Sequence, residues 1–388
     1  MSYQILTDSC CDFPPQRYRE LGLISLPLSI TFRGETYPDR NDDSLRDMYA
    51  GLRAGEAAST AAANPQQWEE ALEPVLASGE DALILAFSSG LSTTYQSACI
   101  AADEMKERFP ERKILVVDSL CASLGQGLLA YYAARKRDEG LGLEALKAWL
   151  EDNKLHLCHW FTVNDLMYLK RGGRINAATA IMGTMLSIKP ILHVDNEGHL
   201  ISVGKARGRK ASIAALADKA AELGKGYDNS LMFISHGDCR EDAEALAELV
   251  KERCGVKEVY INYVGAVIGS HSGPGTLALF FIYIQKRGLH QQDALVAGLL
   301  PDLLKMGDPP ACHRQLPQKQ LLPQVIPPGD QGAVFHRSRD IHGKADHGLP
   351  LAQQLPLPPG PLFPGLQHFH QRYFQGPSSC RSRGIIGG

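Results

Sequence analysis

The sequence predicts a two-domain α/β protein, and three observations lead to that prediction. The chain has 388 residues, and at roughly 150 residues per domain this length favours at least two domains. Its first half alternates short, continuous apolar runs with helical periodicity, which is typical of a parallel sheet covered by helices on both faces. From about residue 157 a short turn joins two strand-like runs, which indicates a mixed sheet in the second half.

The first domain, residues 1–156, is expected to contain a doubly wound parallel sheet. Apolar runs predict strands at residues 4–8, 24–32, 81–87 and 113–119. Helical periodicity predicts helices after Asn64, over 93–109 and over 123–139. Asn64 is a suitable N-cap because Pro65 follows at the first helical position, and Gly79 marks the stop. Pro27 indicates an edge strand or a bulge within 24–32, since proline cannot donate a ladder hydrogen bond.

The second domain, residues 157–286, is expected to combine a mixed sheet with helices. The predicted strands are 157–163, 187–195, 200–205, 231–236 and 259–265, and the predicted helices are 210–223 and 240–253. A further helix is expected to begin near Asn164. The four-residue turn from Asn196 to His199 is short, so the strands on either side of it should pair antiparallel.

The composition changes abruptly near residue 286. Fourteen of the 23 prolines follow residue 300, seven of the 13 histidines follow residue 288, and the last glutamate is Glu258. Residues 287–388 therefore read as a Pro-rich, disordered tail. The tail is either an interaction segment, such as a polyproline II ligand, or the product of a shifted reading frame or fusion; the loss of glutamate favours the second origin.

Several function classes are disfavoured by composition. A formal net charge of -3 with 21% charged residues offers no basic surface for nucleic acid. Without a charged, apolar leader or about 18 consecutive apolar residues, the expectation is a cytoplasmic protein that does not insert into membranes. The nine cysteines include no CxxC pair, so we expect reduced thiols without a metal cofactor.

Small polar residues follow several predicted strands, where ligands bind in open α/β sheets. Asp8 and Asp118 each end a strand, and the richest cluster is the serine loop with Ser89 and Ser92. A second-domain strand is expected to end near residue 270, just before His271. Ser92 is predicted to be the N-cap of the next helix, where backbone N–H groups attract an anion, although it could simply cap that helix.

Two further interpretations remain open from the residues alone. Arg171 and Arg174 surround a glycine pair, which suits either a helix C-terminus or bidentate contacts to carboxylate or phosphate. Asp8, Asp118 and His271 could serve a phosphotransferase or a hydrolase. No GxSxG, HExxH or Cys/His/Asn set accompanies them, which makes a covalent or hydrolytic enzyme the weaker interpretation.

The order and spacing of the motifs resemble the DegV family of fatty-acid-binding proteins. The resemblance covers residues 3 to about 283 and rests on ILTDSCCDFPP, LISLPLSITFRGETYPD, SSGLSTTYQSA, VVDSLCASLGQG, YLKRGGRI, IKPIL and HSGPG. It implies two α/β domains that enclose one long-chain fatty acid between them. It also implies a non-catalytic protein that presents the lipid to a separate fatty acid kinase subunit.

The resemblance further implies which residues hold the ligand. The carboxylate would be held by Thr60 and Ser92, and the family's histidine and arginine would fall on His271 and Arg174. Ser89 of the serine loop and Arg171 beside the glycine pair complete the predicted ligand-binding residues. A protonated His271 and a helix N-terminus could compensate the charge of the buried carboxylate. The chain departs from the family pattern at residues 61–63, where three alanines follow Thr60, and at Thr93, where glycine is usual. These departures affect the loop geometry and the preferred chain length.

Overall fold

The computed structural model describes residues 2–41, 44–175, 187–226 and 229–282, which belong to one compact unit. These residues form two α/β domains, with a parallel sheet in the first and a mixed sheet in the second, so the predicted fold class is confirmed. The predicted Pro-rich tail, residues 287–388, lies outside the described residues, and that interpretation stays a prediction.

The first domain contains seven strands and six helices among the described residues. In chain order they are β1 (Tyr3–Asp8), α1 (Pro15–Glu20), β2 (Leu23–Leu26), β3 (Ser29–Phe32), β4 (Glu35–Pro38), α2 (Ser44–Arg53), β5 (Ala58–Ala61), α3 (Pro65–Ala77), β6 (Asp81–Ala86), α4 (Thr94–Arg108), β7 (Ile114–Asp118), α5 (Leu124–Asp138) and α6 (Leu143–Asn153). The parallel sheet has the order β2-β1-β6-β7. Its central strand β6 is buried at all six positions, as its unbroken apolar sequence predicts.

The predicted strand 24–32 is wrong as a single strand, because Pro27 divides it into β2 and β3. Proline has no N–H to continue the ladder, and the next amide, that of Leu28, donates to Ser9 Oγ at 3.1 Å instead. Strand β2 stays in the parallel sheet, whereas β3 pairs antiparallel with β4 and β5 in a small separate sheet. This small sheet was not predicted, and it carries Thr60 in β5.

The predicted start of α3 is confirmed in detail. Asn64 Oδ1 accepts a hydrogen bond from the Gln67 amide at 2.9 Å, and Gln67 Oε1 accepts one from the Asn64 amide at 3.0 Å. This reciprocal pair satisfies two backbone donors that a helix start would otherwise leave open. Helix α3 packs with α4, and the apolar side chains of both helices cover the parallel sheet.

The second domain contains six strands and four helices among the described residues. They are β8 (Leu157–Thr162), α7 (Met167–Arg171), β9 (Ile188–Val194), β10 (Leu200–Arg207), α8 (Arg209–Leu223), β11 (Leu231–His236), α9 (Arg240–Cys254), β12 (Glu258–Tyr263), α10 (Ala266–Ser272) and β13 (Leu277–Ile282). The sheet order is β10-β9-β8-β13-β11-β12, and only β11 and β12 pair in parallel. The predicted antiparallel pairing of β9 with β10 is confirmed. The expected strand end near residue 270 is wrong, because that segment is the end of α10.

Contacts from the first domain fix the position of α10. Asp39 is buried, and its carboxylate accepts from the amides of Ala266 at 3.2 Å and Val267 at 3.4 Å. Asp39 thereby caps a helix of the other domain. Tyr49 adds a hydrogen bond from its hydroxyl to the Val264 carbonyl at 2.8 Å. The two domains are therefore tied together at the helix that ends at the candidate site.

Candidate functional site

A cavity of about 410 Å³ lies between the two domains. This volume is within the range of roughly 300–1,000 Å³ that is common for small-molecule sites. Both domains contribute to its predominantly apolar wall, whose apolar members are Leu28, Ala61, Ala62, Phe87, Leu91, Ala122, Phe161, Leu169, Val194, Leu200, Val264, Val267, Ile268, Ala278 and Phe280. The cavity can therefore hold a ligand with a substantial hydrocarbon portion.

The polar groups of the wall are mostly hydroxyls. They belong to Thr60, Ser89, Ser92, Thr93, Gln96, Ser123, His159, Arg174, Ser235, His271, Ser272 and Thr276. Among the described lining residues there is no aspartate or glutamate, and Arg174 alone carries a fixed charge. An anionic group in the cavity would therefore meet one positive charge and no negative charge from the wall.

Thr60 and His271 meet directly across the two domains. Thr60 Oγ1 lies 2.8 Å from His271 Nε2. The histidine is at the last turn of α10, whose first turn Asp39 caps. Burial, with a smaller contribution from the nearby Arg174 charge, lowers the pKa of His271 to about 4. This lowered pKa favours neutral His271 near pH 7 in the protein without a ligand, so Arg174 carries the fixed positive charge of the wall. The expected protonation of His271 beside a bound carboxylate stays a prediction.

Ser89 and Ser92 belong to the loop between β6 and α4. Ser92 Oγ lies 2.9 Å from Thr94 Oγ1 and accepts from the Thr94 amide at 3.3 Å, so it serves the start of α4. The predicted N-cap is nevertheless off by one residue, because the N-cap position is Thr93. The Ser89 amide donates to Asp118 Oδ1 at 3.1 Å. Both serines line the cavity, as does Thr60.

The serine loop is held against the turn between β9 and β10. Ser88 is buried and its hydroxyl donates to the Gly198 carbonyl at 3.0 Å. A Cβ at Gly90 would lie only 2.7–2.8 Å from backbone atoms of Glu197 and Gly198. Glycine is therefore required at residue 90 for this close approach, which positions the loop relative to the second domain.

The two candidate arginines have different environments. Arg174 lines the cavity, and its Nε donates to the Leu91 carbonyl of the serine loop at 3.1 Å. Arg171 is exposed and stacks on the Tyr168 ring at 4.5 Å, so it stays outside the cavity wall. Gly172, between them, is in close contact with the site, because a Cβ there would lie 2.3 Å from His271 Nδ1.

Asp8 and Asp118 do not join His271 in the cavity wall. Asp8 is buried and accepts from the amides of Phe87 at 2.7 Å and Cys10 at 3.0 Å. Burial raises the pKa of Asp8 to about 6, and these two hydrogen bonds offset part of that rise. Asp118 Oδ1 accepts from the amides of Ser89 and Leu120, each at 3.1 Å. Both carboxylates therefore organise loops at strand ends, which removes the geometric support for a shared catalytic site.

Several lining residues were not predicted as site residues. Ser235 and His159 are isolated polar residues in the apolar strands β11 and β8, Ser123 precedes α5, and Ser272 ends α10. A polar residue within an otherwise apolar strand was the available signal. A strand alone does not reveal which of its faces borders a cavity, so this signal could not separate a lining residue from a structural one.

Neither a metal-binding cluster nor a membrane-spanning helix is found among the described residues. Within ranges 2–41, 44–175, 187–226 and 229–282, no group of three or more His, Cys, Asp or Glu side chains could hold a metal ion. The seven cysteines of these ranges are free thiols. No helix in the same ranges has both the length and the apolar character needed to cross a bilayer.

The fold and the cavity define a two-domain α/β protein with a largely apolar cavity between its domains. The sequence profile described as "Uncharacterised protein, DegV family" matches residues 2–283. A DegV domain-containing protein of Clostridium perfringens is 43% identical over 282 residues, which cover 72% of this chain and 97% of that protein. The chain belongs to the DegV family.

Solved structures of the family share this fold. A DegV family protein from Thermus thermophilus, described for its fatty acid binding, has a TM-score of 0.66 and 32% identity, over 73% of this chain and 100% of that one. DegV from Bacillus subtilis, a fatty-acid-binding protein, has a TM-score of 0.63 and 29% identity over 73% of this chain and 100% of that one.

Proposed function

We propose that the protein binds one long-chain fatty acid, with the carboxylate held by Thr60 and Ser92, and presents it to a kinase partner in the cytoplasm. The observation that carries the proposal is a largely apolar cavity with Thr60, Ser92, His271 and Arg174 in its wall. An amphiphile with one negative charge matches this combination. The fatty acid binding of the related proteins from Thermus thermophilus and Bacillus subtilis supports the same ligand class.

The hydrocarbon chain supplies most of the affinity in this proposal. Burying about 14 methylenes at about 0.8 kcal/mol each gives roughly 11 kcal/mol before the costs of association. Each charge-assisted hydrogen bond adds only about 1.5–3 kcal/mol. The hydroxyls of Thr60 and Ser92 therefore orient the ligand, while the apolar wall retains it.

The carboxylate needs a positive partner, because a buried anion surrounded only by neutral groups is strongly disfavoured. Arg174 fits this role, since it lines the cavity and is anchored to the serine loop through the Leu91 carbonyl. The guanidinium would also suit the phosphoryl group during transfer to the carboxylate, because its planar fork can contact two phosphate oxygens. Exposed Arg171 would contact the kinase partner instead.

The same arrangement supports a non-catalytic role. Asp8 and Asp118 bind backbone amides, and the alternative phosphotransferase or hydrolase would need them beside His271. We therefore assign the chemistry to the kinase partner and no cofactor to this chain. Turnover of a simple phosphate ester by the purified protein would favour the enzyme instead.

The direct test of the ligand class is mass spectrometry of lipid extracted from the denatured protein. We expect a long-chain fatty acid in a ratio approaching one per chain. The matching titration uses the delipidated protein and octadecanoic acid. A folded protein that carries no lipid and does not bind added fatty acid would contradict the proposal.

A further inference from the structure

A chain of buried polar groups leads from the cavity wall into the space between the domains. Ser235 lines the cavity, and its Oγ lies 2.9 Å from Ser123 Oγ. Ser123 Oγ is also hydrogen-bonded to Asp12 Oδ2. The exposed fractions of Ser235, Ser123 and Asp12 are 0%, 5% and 0%. This network shares no residue with the Thr60–His271 contact.

Counting the hydroxyl protons of this network shows that Ser235 keeps unused hydrogen-bonding capacity at the cavity. Ser123 has one hydroxyl proton, so it can donate to Asp12 or to Ser235 but not to both. When Asp12 is ionised, Ser123 donates to Asp12. When Asp12 is protonated, Asp12 can donate to Ser123, and Ser123 donates to Ser235 at 2.9 Å. In both cases Ser235 keeps its own hydroxyl proton, so it offers a donor to a ligand.

A second hydroxyl in the same wall supports a polar ligand atom. Ser272 is 4% exposed, lines the cavity, and its Oγ has no hydrogen-bond partner among the described residues. Its carbonyl accepts from Thr276 Oγ1 at 3.0 Å, and the Thr276 carbonyl accepts from the Gly237 amide, two residues beyond Ser235. Ser272 and Ser235 therefore belong to adjoining parts of one wall. A plain hydrocarbon satisfies neither hydroxyl, and buried polar groups usually have partners.

We propose that Ser235 and Ser272 form a second polar subsite in the cavity, which receives a hydroxyl group carried on the hydrocarbon chain of the ligand. The ligand class then includes hydroxy fatty acids. This inference rests on the proposed function, since it presupposes that a fatty acid occupies the cavity. A ligand hydroxyl both donates and accepts, so it can accept from Ser235 and donate to Ser272 Oγ. A keto oxygen only accepts, so it could not donate to Ser272.

The first test needs no variant. Displacement of a fluorescent fatty acid would give the affinity of the delipidated protein for octadecanoic acid and for octadecanoic acids hydroxylated near the head group, at mid-chain or near the methyl end. We expect at least one hydroxylated acid to bind within about threefold of octadecanoic acid, because the subsite replaces the hydroxyl's lost hydration. If the wall offered no partner for the hydroxyl, every hydroxylated acid would bind about tenfold or more weakly than octadecanoic acid.

The second test assigns the effect to the subsite. Ser235→Ala should lower the affinity for the best-binding hydroxylated acid by about tenfold and change the affinity for octadecanoic acid by no more than about twofold. Ser272→Ala should change the two affinities in the same direction. The control is Ser212→Ala, which removes an equally buried hydroxyl that donates to the Arg209 carbonyl within α8, outside the cavity wall. It should leave the ratio of the two affinities unchanged.

Two outcomes would overturn the inference. One is a wild-type protein that binds octadecanoic acid but disfavours every hydroxylated acid by about tenfold or more, in which case the subsite holds water or serves only the fold. The other is a Ser235→Ala variant whose affinity falls by the same factor for octadecanoic acid and for the hydroxylated acid. Failure to bind any fatty acid would contradict the proposed function itself, and so the two failures are distinguishable.

Discussion

The two walls of the cavity differ in the chemistry that they contribute. The first domain supplies neutral hydroxyls, from Thr60 on β5 and from Ser89 and Ser92 on the serine loop. Around the Thr60–His271 contact, the second domain supplies nitrogen-bearing side chains, with His271 at the end of α10 and Arg174 just beyond α7, while its own hydroxyls at Ser235 and Ser272 belong to the separate subsite. Thr60 is hydrogen-bonded to His271, and Arg174 donates a hydrogen bond to the Leu91 carbonyl, so each wall contacts the other through these residues. This difference suggests that the first wall orients the carboxylate while the second supplies its counter-charge.

The largest expected effect comes from removing both hydroxyls of the first wall. Thr60→Ala combined with Ser92→Ala should weaken fatty acid binding by roughly 3–6 kcal/mol, since two charge-assisted hydrogen bonds are lost. A titration of the delipidated variant with octadecanoic acid measures this. The matched control is Ser59→Ala with Ser97→Ala, which removes one hydroxyl from β5 and one from α4, the helix that follows the serine loop, and both lie outside the cavity wall. A folded double variant with wild-type affinity would contradict the carboxylate assignment.

Removing the charge of the second wall should separate presentation from binding. Arg174→Ala should reduce acyl-phosphate formation with a cognate kinase by roughly ten- to a thousandfold at saturating lipid, because the guanidinium no longer offsets the charge of transfer. Fatty acid affinity should fall as well, because the carboxylate loses its counter-charge, and measuring transfer at saturating lipid separates the two effects. Arg171→Ala, at the exposed arginine, should have a smaller effect. Transfer at the wild-type rate by Arg174→Ala would show that the arginine has no role in presentation.

A smaller effect is expected where the two walls meet. Gly172→Ala places a Cβ 2.3 Å from His271 Nδ1, so the imidazole must move away from residue 172 and its contact with Thr60 must change. Such overpacking typically costs about 1–3 kcal/mol, and we expect the free energy of unfolding to fall by that amount. Gly204→Ala is the control, because its Cβ would meet only Ile191 Cβ at 3.7 Å. If both variants unfold at the same denaturant concentration, the close approach at Gly172 is not important.

The contact between Asp39 and α10 should change how stability depends on pH. Burial raises the pKa of Asp39 from 3.8 to about 6, although the amides of Val267 and Ala266 offset part of the shift. The folded chain therefore binds this proton more tightly than the unfolded chain does. The resulting stability is fully present below pH 3.8 and is lost as the pH rises through about 6.

Urea unfolding of the wild type and of Asp39→Asn, compared at several pH values, measures this contribution. Raising the pH from about 4 to about 7 should make the difference between their unfolding free energies less favourable to the wild type by up to about 3 kcal/mol. Asp103→Asn, at an exposed carboxylate of α4, is the control for general charge effects. A difference that is constant over this pH range would mean that Asp39 keeps the same protonation state in both forms.

The contrast between the walls also explains what the sequence could predict. The serine loop was found because several hydroxyl residues follow a buried strand, and the start of α3 was found because Asn64 and Pro65 are local signals. The small sheet with β5 was missed because its four-residue strands have little periodicity. Its packing against α10 depends on contacts between domains, which no local pattern records.

The same reasoning applies to charge and burial. Sequence reasoning could place His271 in the site, but its neutral state depends on burial and on the neighbouring Arg174. The position of Arg171 outside the cavity depends on how α7 ends beside Tyr168. Both are consequences of tertiary packing, so they become visible only when the two domains are assembled.

The most direct test of the central claim is a crystal structure of the protein with octadecanoic acid. We expect the carboxylate oxygens to lie about 2.7–3.2 Å from Thr60 Oγ1 and Ser92 Oγ, with Arg174 close to the same group. The hydrocarbon should extend among the apolar residues of the wall, including Phe161 and Phe280. A carboxylate bound away from both hydroxyls, or a lipid outside this cavity, would contradict the account.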